Sequence, residues 1–221
     1  MRLKTDFMDV GVDHAFHGHW RLYQPVFERM AETTRTRKED HDLLEEIGYR
    51  LPLRGKLEDV VSRVSPNDFL VTYWDQKKHR ADGKSRVQAW SAYMVAKPET
   101  YTCKWMGPIG QSVRILAVGK RIFWLLYTSK TSHFSNVNTD TIDLVAPAVS
   151  WGRNAELDLF RLQQRLKQPL VAVDLVLEKQ AGYAIDLNVS PGLTGTPVLD
   201  ILKPQEIHDL IEARWHELRK Q

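Results

Sequence analysis

Hydrophobic and polar positions follow helical spacing in some segments of this chain and strand spacing in others. Helical spacing predicts helices at about 19–32, 38–47, 56–65 and 154–168, and apolar runs between them predict strands. A last helix is expected to begin at Pro204, because proline suits the first helical turn. Its apolar residues recur at helical spacing and predict a buried face: Ile207, Leu210, Ile211, Trp215 and Leu218. This mixture of helices and strands predicts an α+β fold.

Residues 170–197 contain two apolar runs, 170–177 and 183–189, on either side of a polar turn. This pattern predicts a β-hairpin that carries Asp174 in one strand and Asp186 with Asn188 in the other. Asp186 and Asn188 are two positions apart and therefore project from the same strand face. Two carboxylates and an amide oxygen are ligands that Mg²⁺ prefers in proteins. We predict these three residues as metal ligands; the alternative is a hairpin whose acids are simply exposed.

The hairpin residues form the pattern D-x(11)-D-x-N-x-S-P-G-L. This pattern resembles the C-terminal metal-binding signature of the ATP-grasp superfamily, in particular the branch of ribosomal-protein glutamate ligases and glutathione synthetase. Glutamate is usual in that family at the position of Asp186. The resemblance implies ATP bound between two lobes, and Mg²⁺, or in its place Mn²⁺, bound by Asp174, Asp186 and Asn188.

The same resemblance implies a two-lobed ATP-grasp fold with antiparallel sheets and flanking helices. The family usually has a full N-terminal α/β domain before the first lobe, and residues 1–42 are too few to form one. We therefore expect an N-terminal helical segment at 1–42, a smaller first lobe at 43–106 and a second lobe with the metal site at 107–221.

Residues 110–130 also resemble the family, with an arginine-bearing strand, a tight turn at Gly119-Lys120 and a second apolar strand. Arg114 alternates with Val113 and therefore projects from the opposite strand face. The resemblance implies that Arg114 stabilises charge on a phosphoryl or acyl-phosphate oxygen. Lys130 is implied as a second catalytic cation. The alternative for Arg114 is an ion pair with a neighbouring acid.

Several residues are implied by resemblance to contact the nucleotide. Met94 to Pro98 contains a Lys-Pro pair whose lysine, Lys97, would hold a phosphate. Residues 101–106 resemble the strand between the lobes that lines the adenine pocket. The implied nucleotide contacts are Lys97, Lys104, Trp105, Met106, Asn136 and Leu187. The cation-rich loop from Lys77 to Arg86 has one glycine, and such a charge run favours a solvated hairpin tip over a phosphate loop.

Composition agrees with a soluble globular protein, since 43% of the 221 residues are hydrophobic and 27% are charged. The net charge of +3 is far from the concentrated basic surface of a nucleic-acid binder. A single cysteine, Cys103, suits a reducing compartment, and no apolar run is long enough to span a membrane. We expect a cytoplasmic location. His14, His17 and His19 lie close in sequence, but short His clusters are usually coincidental.

These features predict an ATP- and Mg²⁺-dependent carboxylate–amine ligase that forms an amide or peptide bond through an acyl phosphate. Its partners would be small-molecule or peptide carboxylates and amines, and homo-oligomerisation is left open. One alternative is a non-catalytic nucleotide-binding or regulatory module that retains the fold. Another is a basic nucleic-acid-binding protein that uses residues 77–86 with Tyr73, Trp74 and Trp90; we disfavour it because these aromatics are expected in the core.

Overall fold

The computed structural model of the protein describes residues 35–77, 83–135, 137–147, 154–179, 181–189, 191–193 and 195–220. The predicted helix at 19–32, the cluster of His14, His17 and His19, and the predicted nucleotide contact Asn136 lie outside these residues.

Within the described residues the chain forms helices and two antiparallel sheets. The α-helices are α1 (Arg37–Ile47), α2 (Leu57–Val61), α3 (Ala155–Leu166), α4 (Val198–Ile201) and α5 (Pro204–Lys220). A 3-10 helix spans Ala89–Met94.

The first sheet has the strand order β1-β4-β2-β3. Its strands are β1 (Arg54–Lys56), β2 (Phe69–Tyr73), β3 (Lys84–Gln88) and β4 (Tyr101–Lys104). One face packs on α2 and the 3-10 helix through Leu57, Leu70 and Ala89. Tyr73 and Cys103 project from the other face. We call this sheet, with α2 and the 3-10 helix, the first lobe.

The second sheet has the strand order β7-β6-β5-β8-β9. Its strands are β5 (Gln111–Val118), β6 (Arg121–Thr128), β7 (Thr141–Leu144), β8 (Leu170–Glu178) and β9 (Ala181–Asn188). Positive φ at Gly119 closes the predicted tight turn between β5 and β6. We call this sheet, with the helices that pack on it, the second lobe.

Both faces of the second sheet are covered by helices. Alternate residues of β5 enter different cores: Ile115 packs with α1 and α3, whereas Leu116 packs with α4 and α5. Along the face that carries Leu116, apolar positions give way to Arg114 and then to Ser112 at one end of the strand. The same sheet face is therefore a hydrophobic core at one end and a polar surface at the other.

Helix α1 precedes the first lobe in sequence but packs on the second. Leu44 is fully buried in the core that α1 shares with α3 and the second sheet. A capping box between Thr36 and Glu39 begins this helix, and Gly48 ends it in the left-handed conformation. The predicted boundary between residues 42 and 43 falls inside this continuous helix; the domain division stays a prediction.

Most predicted elements are confirmed, including helices at 38–47 and 154–168 and the helix start at Pro204. The helix predicted at 56–65 ends at Val61 instead, with Ser62 as its C-terminal cap. Pro66 disfavours helical backbone at Ser65, so the helix could not reach the predicted end. Residues 84–88 form a strand, so the charged loop is shorter than the predicted 77–86.

The predicted burial of two aromatic residues is wrong. Trp74 is 59% exposed and Trp90 is 64% exposed, whereas Tyr73 is buried as predicted. Trp90 sits on the outer side of the short 3-10 helix, whose buried residues are the small Ala89 and Ala92. The small alanines occupy the inner positions, and the bulky aromatic ring is left outside.

Candidate active site between the lobes

A cleft lies between the free face of the first sheet and the polar end of the second, with a volume of ≈ 650 Å³ that includes its open mouth. Tyr73, Lys84 and Cys103 line it from the first lobe, and Asp174 and Asp186 from the second. We call this space the interlobe cleft.

The hairpin β8–β9 brings the predicted metal ligands together. Asp174 is paired across the ladder with Asp186, as the sequence predicted, and Asn188 is one pair further along on the same face. The Asn188 amide nitrogen lies 3.4 Å from a carboxylate oxygen of Asp174. Asp174 and Asp186 are 4% and 8% exposed. Carboxylates this buried require charged partners.

Arg114 is the partner of Asp174. It is the residue of β5 directly opposite Asp174, and it donates from Nε at 2.6 Å and from Nη2 at 2.9 Å to the two carboxylate oxygens. Burial is the largest single influence on the pKa of Arg114 and lowers it, but the charge and hydrogen bonds of Asp174, together with Tyr127, outweigh burial and hold that pKa above its usual value. The ion pair that the sequence left as an alternative is therefore the arrangement observed.

Arg37 is the partner of Asp186, and sequence reasoning missed it. It occupies the first position of α1, is 5% exposed, and donates from Nη1 to Asp186. Its guanidinium lies 5.8 Å from the centre of the Tyr73 ring, and its buried Nε has no hydrogen-bond partner among the described residues. The capping box followed by Arg37, His41 and Leu44 at helical spacing was the available signal for this buried face.

Lys84 also lines the interlobe cleft, although the sequence favoured a solvated hairpin tip for the charged loop that contains it. It is paired across the β2–β3 ladder with Tyr73, and its ammonium lies 4.4 Å from the centre of the Phe134 ring. Burial lowers the pKa of Lys84 to about 8; nearby Arg37 also lowers it, and Asp174 opposes them. The resemblance implied Lys97 as the phosphate-holding lysine; in this structure Lys84 lines the cleft instead, opposite the end of β2.

His41 connects α1 to both lobes. Its Nε2 donates to the Ile185 carbonyl at 3.1 Å, which leaves Nδ1 to accept from the Tyr101 hydroxyl at 2.8 Å. Ile185 is available because the register shifts there, so that Asp174 pairs with Asp186 and the next residue of β8 pairs with Ala184. Burial lowers the pKa of His41 to about 4, and the imidazole is neutral at physiological pH.

The structure places some of the predicted nucleotide contacts at the cleft. Lys104, Trp105 and Met106 line it where the chain passes from the first lobe to the second. The Lys104 ammonium is paired with Asp68 at 2.9 Å, and the Trp105 ring packs against Phe134.

Three predicted site residues are not brought to the interlobe cleft. Lys97 is exposed after the 3-10 helix, and Lys130 is exposed after β6. Leu187 is 5% exposed and packs with the core beneath α1 and α3, because it alternates with Asp186 along β9 and projects from the other face.

Asp174, Asp186 and Asn188 fit a divalent cation in their donor chemistry, since two carboxylates and an amide supply hard oxygens. Among the residues that the structure describes, no three His, Cys, Asp or Glu side chains group to hold a metal. In this part of the chain the donor set is therefore limited to two carboxylates and the amide. Each carboxylate also accepts from an arginine, Asp174 from Arg114 and Asp186 from Arg37.

Solved structures that match this chain include a D-alanine–D-alanine ligase and several ATP-grasp ligases. D-alanine–D-alanine ligase from Bacillus anthracis matches with a TM-score of 0.59 and 11% identity, over 86% of this chain and 70% of that one. The ATP-grasp ligase PsnB, complexed with a variant of its minimal precursor, Mg and ADP, matches with a TM-score of 0.59 and 12% identity, over 97% and 75%. This chain has the ATP-grasp fold.

The predicted fold class is thus confirmed, and the glutamate-ligase branch stays a prediction. A third ATP-grasp structure, the RiPP-associated ligase of Chryseobacterium gregarium with ADP, a leader and a core peptide, matches with a TM-score of 0.56 and 13% identity, over 91% and 71%. No protein-family model and no curated protein matches the sequence. In the described part of the chain, no helix has the length and apolar character needed to cross a membrane.

Proposed function

We propose that this chain is an ATP- and Mg²⁺-dependent carboxylate–amine ligase. The observation that supports it is the set of charges at the interlobe cleft of an ATP-grasp fold. Asp174 and Asp186 lie there beside Arg37, Lys84 and Arg114. Phosphoryl transfer depends mainly on positioning and on neutralising phosphate charge, and this set of side chains supplies both hard-oxygen ligands and cations.

In this proposal, Asp174, Asp186 and Asn188 hold Mg²⁺, or Mn²⁺ in its place. The metal would neutralise the phosphates of ATP. Lys84 and Arg37 would contact the same phosphates from the first lobe and from α1. The segment from Lys104 to Met106 would line the adenine side of the cleft, as the sequence resemblance implies.

The reaction we propose has two steps. A substrate carboxylate oxygen attacks the γ-phosphorus of ATP, which releases ADP and gives an acyl phosphate. An amine then attacks the acyl carbon, phosphate leaves with the bonding electrons, and the amine loses a proton. Arg114, held on β5 by Asp174, would stabilise charge on the transferred phosphoryl group through guanidinium hydrogen bonds.

The substrates we propose are small-molecule or peptide carboxylates and amines. One structure of this fold is a D-alanine–D-alanine ligase, and others are complexed with precursor peptides. The cytoplasmic location, the Mn²⁺ alternative and a homo-oligomeric state stay predictions.

The first test is a thermal melt with and without ATP and Mg²⁺. We expect the nucleotide with metal to raise the melting temperature of the wild type, because a ligand that binds only the folded state stabilises it. Asp186→Asn should lose most of that increase. Asp158→Asn is the matched control, since Asp158 is also a buried carboxylate paired with an arginine but lies on α3 outside the interlobe cleft. An equal increase in both variants would argue against the metal site.

A measurement of ADP release distinguishes a ligase from a non-catalytic nucleotide-binding module. If ADP is released only when candidate carboxylates and amines are added, the chain is a ligase. Nucleotide-dependent protection without ADP release over a broad amino-acid and peptide panel would favour the non-catalytic alternative. Absence of any ATP-linked melting shift at millimolar nucleotide would exclude both. Salt-sensitive retention of oligonucleotides would instead favour nucleic-acid binding, for which the exposed Trp74 and Trp90 are available.

A further inference from the structure

The two carboxylates proposed to bind metal are each already paired with an arginine. Asp174 accepts two hydrogen bonds from Arg114, and Asp186 accepts one from Arg37. Lys84 lies close enough for its charge to interact with Arg37 and Asp174. Among the described residues, three cations therefore face two carboxylates, so the cations of the cluster outnumber its carboxylates by one.

A divalent cation without nucleotide binds unfavourably to such a cluster. It would have to displace at least one guanidinium from a buried carboxylate, and the displaced charge would remain nearby without a partner. Buried charges without partners are strongly unfavourable, and like charges in a low-dielectric site repel strongly. A polyphosphate changes this balance, because its oxygens offer the displaced guanidinium a new anionic partner while adding negative charge to the cluster.

The two arginines are not equivalent in how firmly they are held. Arg114 uses Nε and Nη2 on Asp174, and its Nη1 lies 3.3 Å from the Tyr127 hydroxyl. Arg37 uses Nη1 on Asp186, and within the part of the chain that the structure describes its buried Nε has no hydrogen-bond partner. A guanidinium with an unused donor gains a hydrogen bond when an anion arrives. Arg37 is therefore the partner that a phosphate can draw away.

We propose that Arg37 blocks Asp186 to divalent metal until nucleotide phosphates bind, so that metal and nucleotide occupy the site together. The inference rests on the proposed nucleotide site but adds to it a specific interaction: Arg37 and the metal compete for the same carboxylate. In the nucleotide-bound state, Arg37 turns from Asp186 to a phosphate oxygen, and Asp186 becomes a ligand. Arg37 acts in this scheme as a positioning residue for metal entry.

The test measures Mn²⁺ binding to the protein without nucleotide, from the loss of the free-Mn²⁺ electron paramagnetic resonance signal. Wild-type protein should bind Mn²⁺ weakly. Arg37→Met should bind it about tenfold or more tightly, within the usual range of couplings between sites. Arg35→Met is the matched control, because Arg35 is two residues away and pairs with Asp40 rather than Asp186. It removes the same charge and should leave Mn²⁺ affinity near that of the wild type.

Equal Mn²⁺ affinity in wild type and Arg37→Met would overturn the proposal, as would an equal increase in Arg35→Met, which would mean that only net charge matters. If Arg37→Met does not fold, Mn²⁺ binding by the wild type with and without ADP still tests the proposal. Nucleotide-free wild type that binds Mn²⁺ as tightly as it does with ADP contradicts the proposal. Wild type that binds neither ADP nor ATP with metal would refute the proposed function, and the Arg37→Met comparison would still report separately on competition for Asp186.

Discussion

Lys84 faces the interlobe cleft from the first residue of β3, and its surroundings bring its titration close to physiological pH. Burial lowers the pKa of this ammonium from 10.5 to about 8, with Arg37 acting in the same direction and Asp174 against it. Below that pKa the side chain is a cation that a phosphate can contact. Above it, the side chain is a neutral amine, and its contribution to phosphate binding is lost.

We therefore expect the affinity for ATP with Mg²⁺ to fall as pH rises through about 8. Lys84→Met should bind about tenfold more weakly at neutral pH, since hydrogen bonds to charged groups contribute about 1.5–3 kcal/mol, and should lose the pH dependence. Lys84→Arg should keep its affinity across the range, because guanidinium does not titrate there. Calorimetric titration measures all three proteins. The same pH slope in Lys84→Met as in wild type would assign the titration to another group.

His41 gives a pH dependence to stability instead of binding. Burial lowers the pKa of His41 from 6.5 to about 4 in the folded state. Between these values the unfolded chain binds a proton that the folded chain does not, so this contribution to stability is complete above about 6.5 and is lost as pH falls towards 4.

His41→Gln should make the free energy of unfolding less sensitive to acid in that window, because glutamine can still donate to Ile185 and accept from Tyr101 without titrating. The difference in slope should approach about 1.4 kcal/mol per pH unit. His216→Gln is the control, since His216 is 65% exposed. Urea denaturation at several pH values provides the measurement. Parallel curves for wild type and His41→Gln would mean that His41 titrates alike in both states.

Among the structural elements, the link between the lobes has a steric requirement at Gly107. Its φ is +75°, and an added Cβ would lie 2.7 Å from the Val176 Cβ and 3.4 Å from a backbone oxygen of β8. Both neighbours belong to the second lobe. The glycine therefore lets the chain leave Met106 and pass directly over β8, which sets how close the two lobes approach.

Gly107→Ala should be more destabilising than Gly195→Ala. Gly195 has a similar φ of +70°, but no atom of the described residues lies within 4 Å of its added Cβ, so this variant reports backbone strain alone. The collision with Val176 should add about 1–3 kcal/mol, the usual cost of overpacking. Chemical denaturation of both variants gives the difference. Equal losses of unfolding free energy would show that β8 shifts to accept the methyl group without cost.

The elements that the sequence predicted are those whose pattern is local. Alternation in β5 and the two apolar runs of the β8–β9 hairpin predicted both strand faces, and the twelve-residue separation of Asp174 and Asp186 brought these residues level. The register shift at Ile185 has no signal of this kind, because an apolar residue suits a bulge and a regular strand equally.

Two cations of the site depend on contacts that sequence spacing does not encode. Arg37 meets Asp186 across 149 positions of the chain, because α1 folds away from the lobe that follows it. Lys84 lies at the cleft because its register with Tyr73 places both side chains on the same face of the first sheet. Sequence reasoning therefore predicted the carboxylates of the hairpin and Arg114 on the neighbouring strand, but not Arg37, which contacts Asp186 from α1, nor the place of Lys84 at the cleft.

For the whole molecule, the lobes differ in how much core each contains. The second sheet is covered on both faces by helices, whereas the first sheet packs on two short helices on one face and borders the cleft on the other. Elements with fewer buried contacts open more readily. Helix α1 adds a connection between the lobes, since Arg37 donates its backbone N–H to Gln76 in the first lobe while its side chain reaches β9.

Hydrogen exchange should follow this asymmetry. We expect amides of β5 and β8 to be the most protected and those of β2 and β3 to exchange faster, because the latter belong to the smaller core. ATP with Mg²⁺ should slow exchange in β3 and at the start of α1 more than in β5, since the proposed phosphate contacts lie there. Mass spectrometry of peptic fragments would measure both effects. Uniform protection across the two sheets would mean that they open as one unit.

The extra residue at Ile185 links the register of the β8–β9 ladder to the position of helix α1. Its carbonyl anchors His41, and through α1 that anchor fixes where Arg37 meets Asp186. Deleting Ile185 would restore an unbroken ladder between β8 and β9 while removing the attachment point of the helix. The strands β8 and β9 would then pair without the hydrogen bond that helps to position Arg37. A single-residue deletion would leave the Leu44 packing of α1 in place while removing one of the contacts that position Arg37.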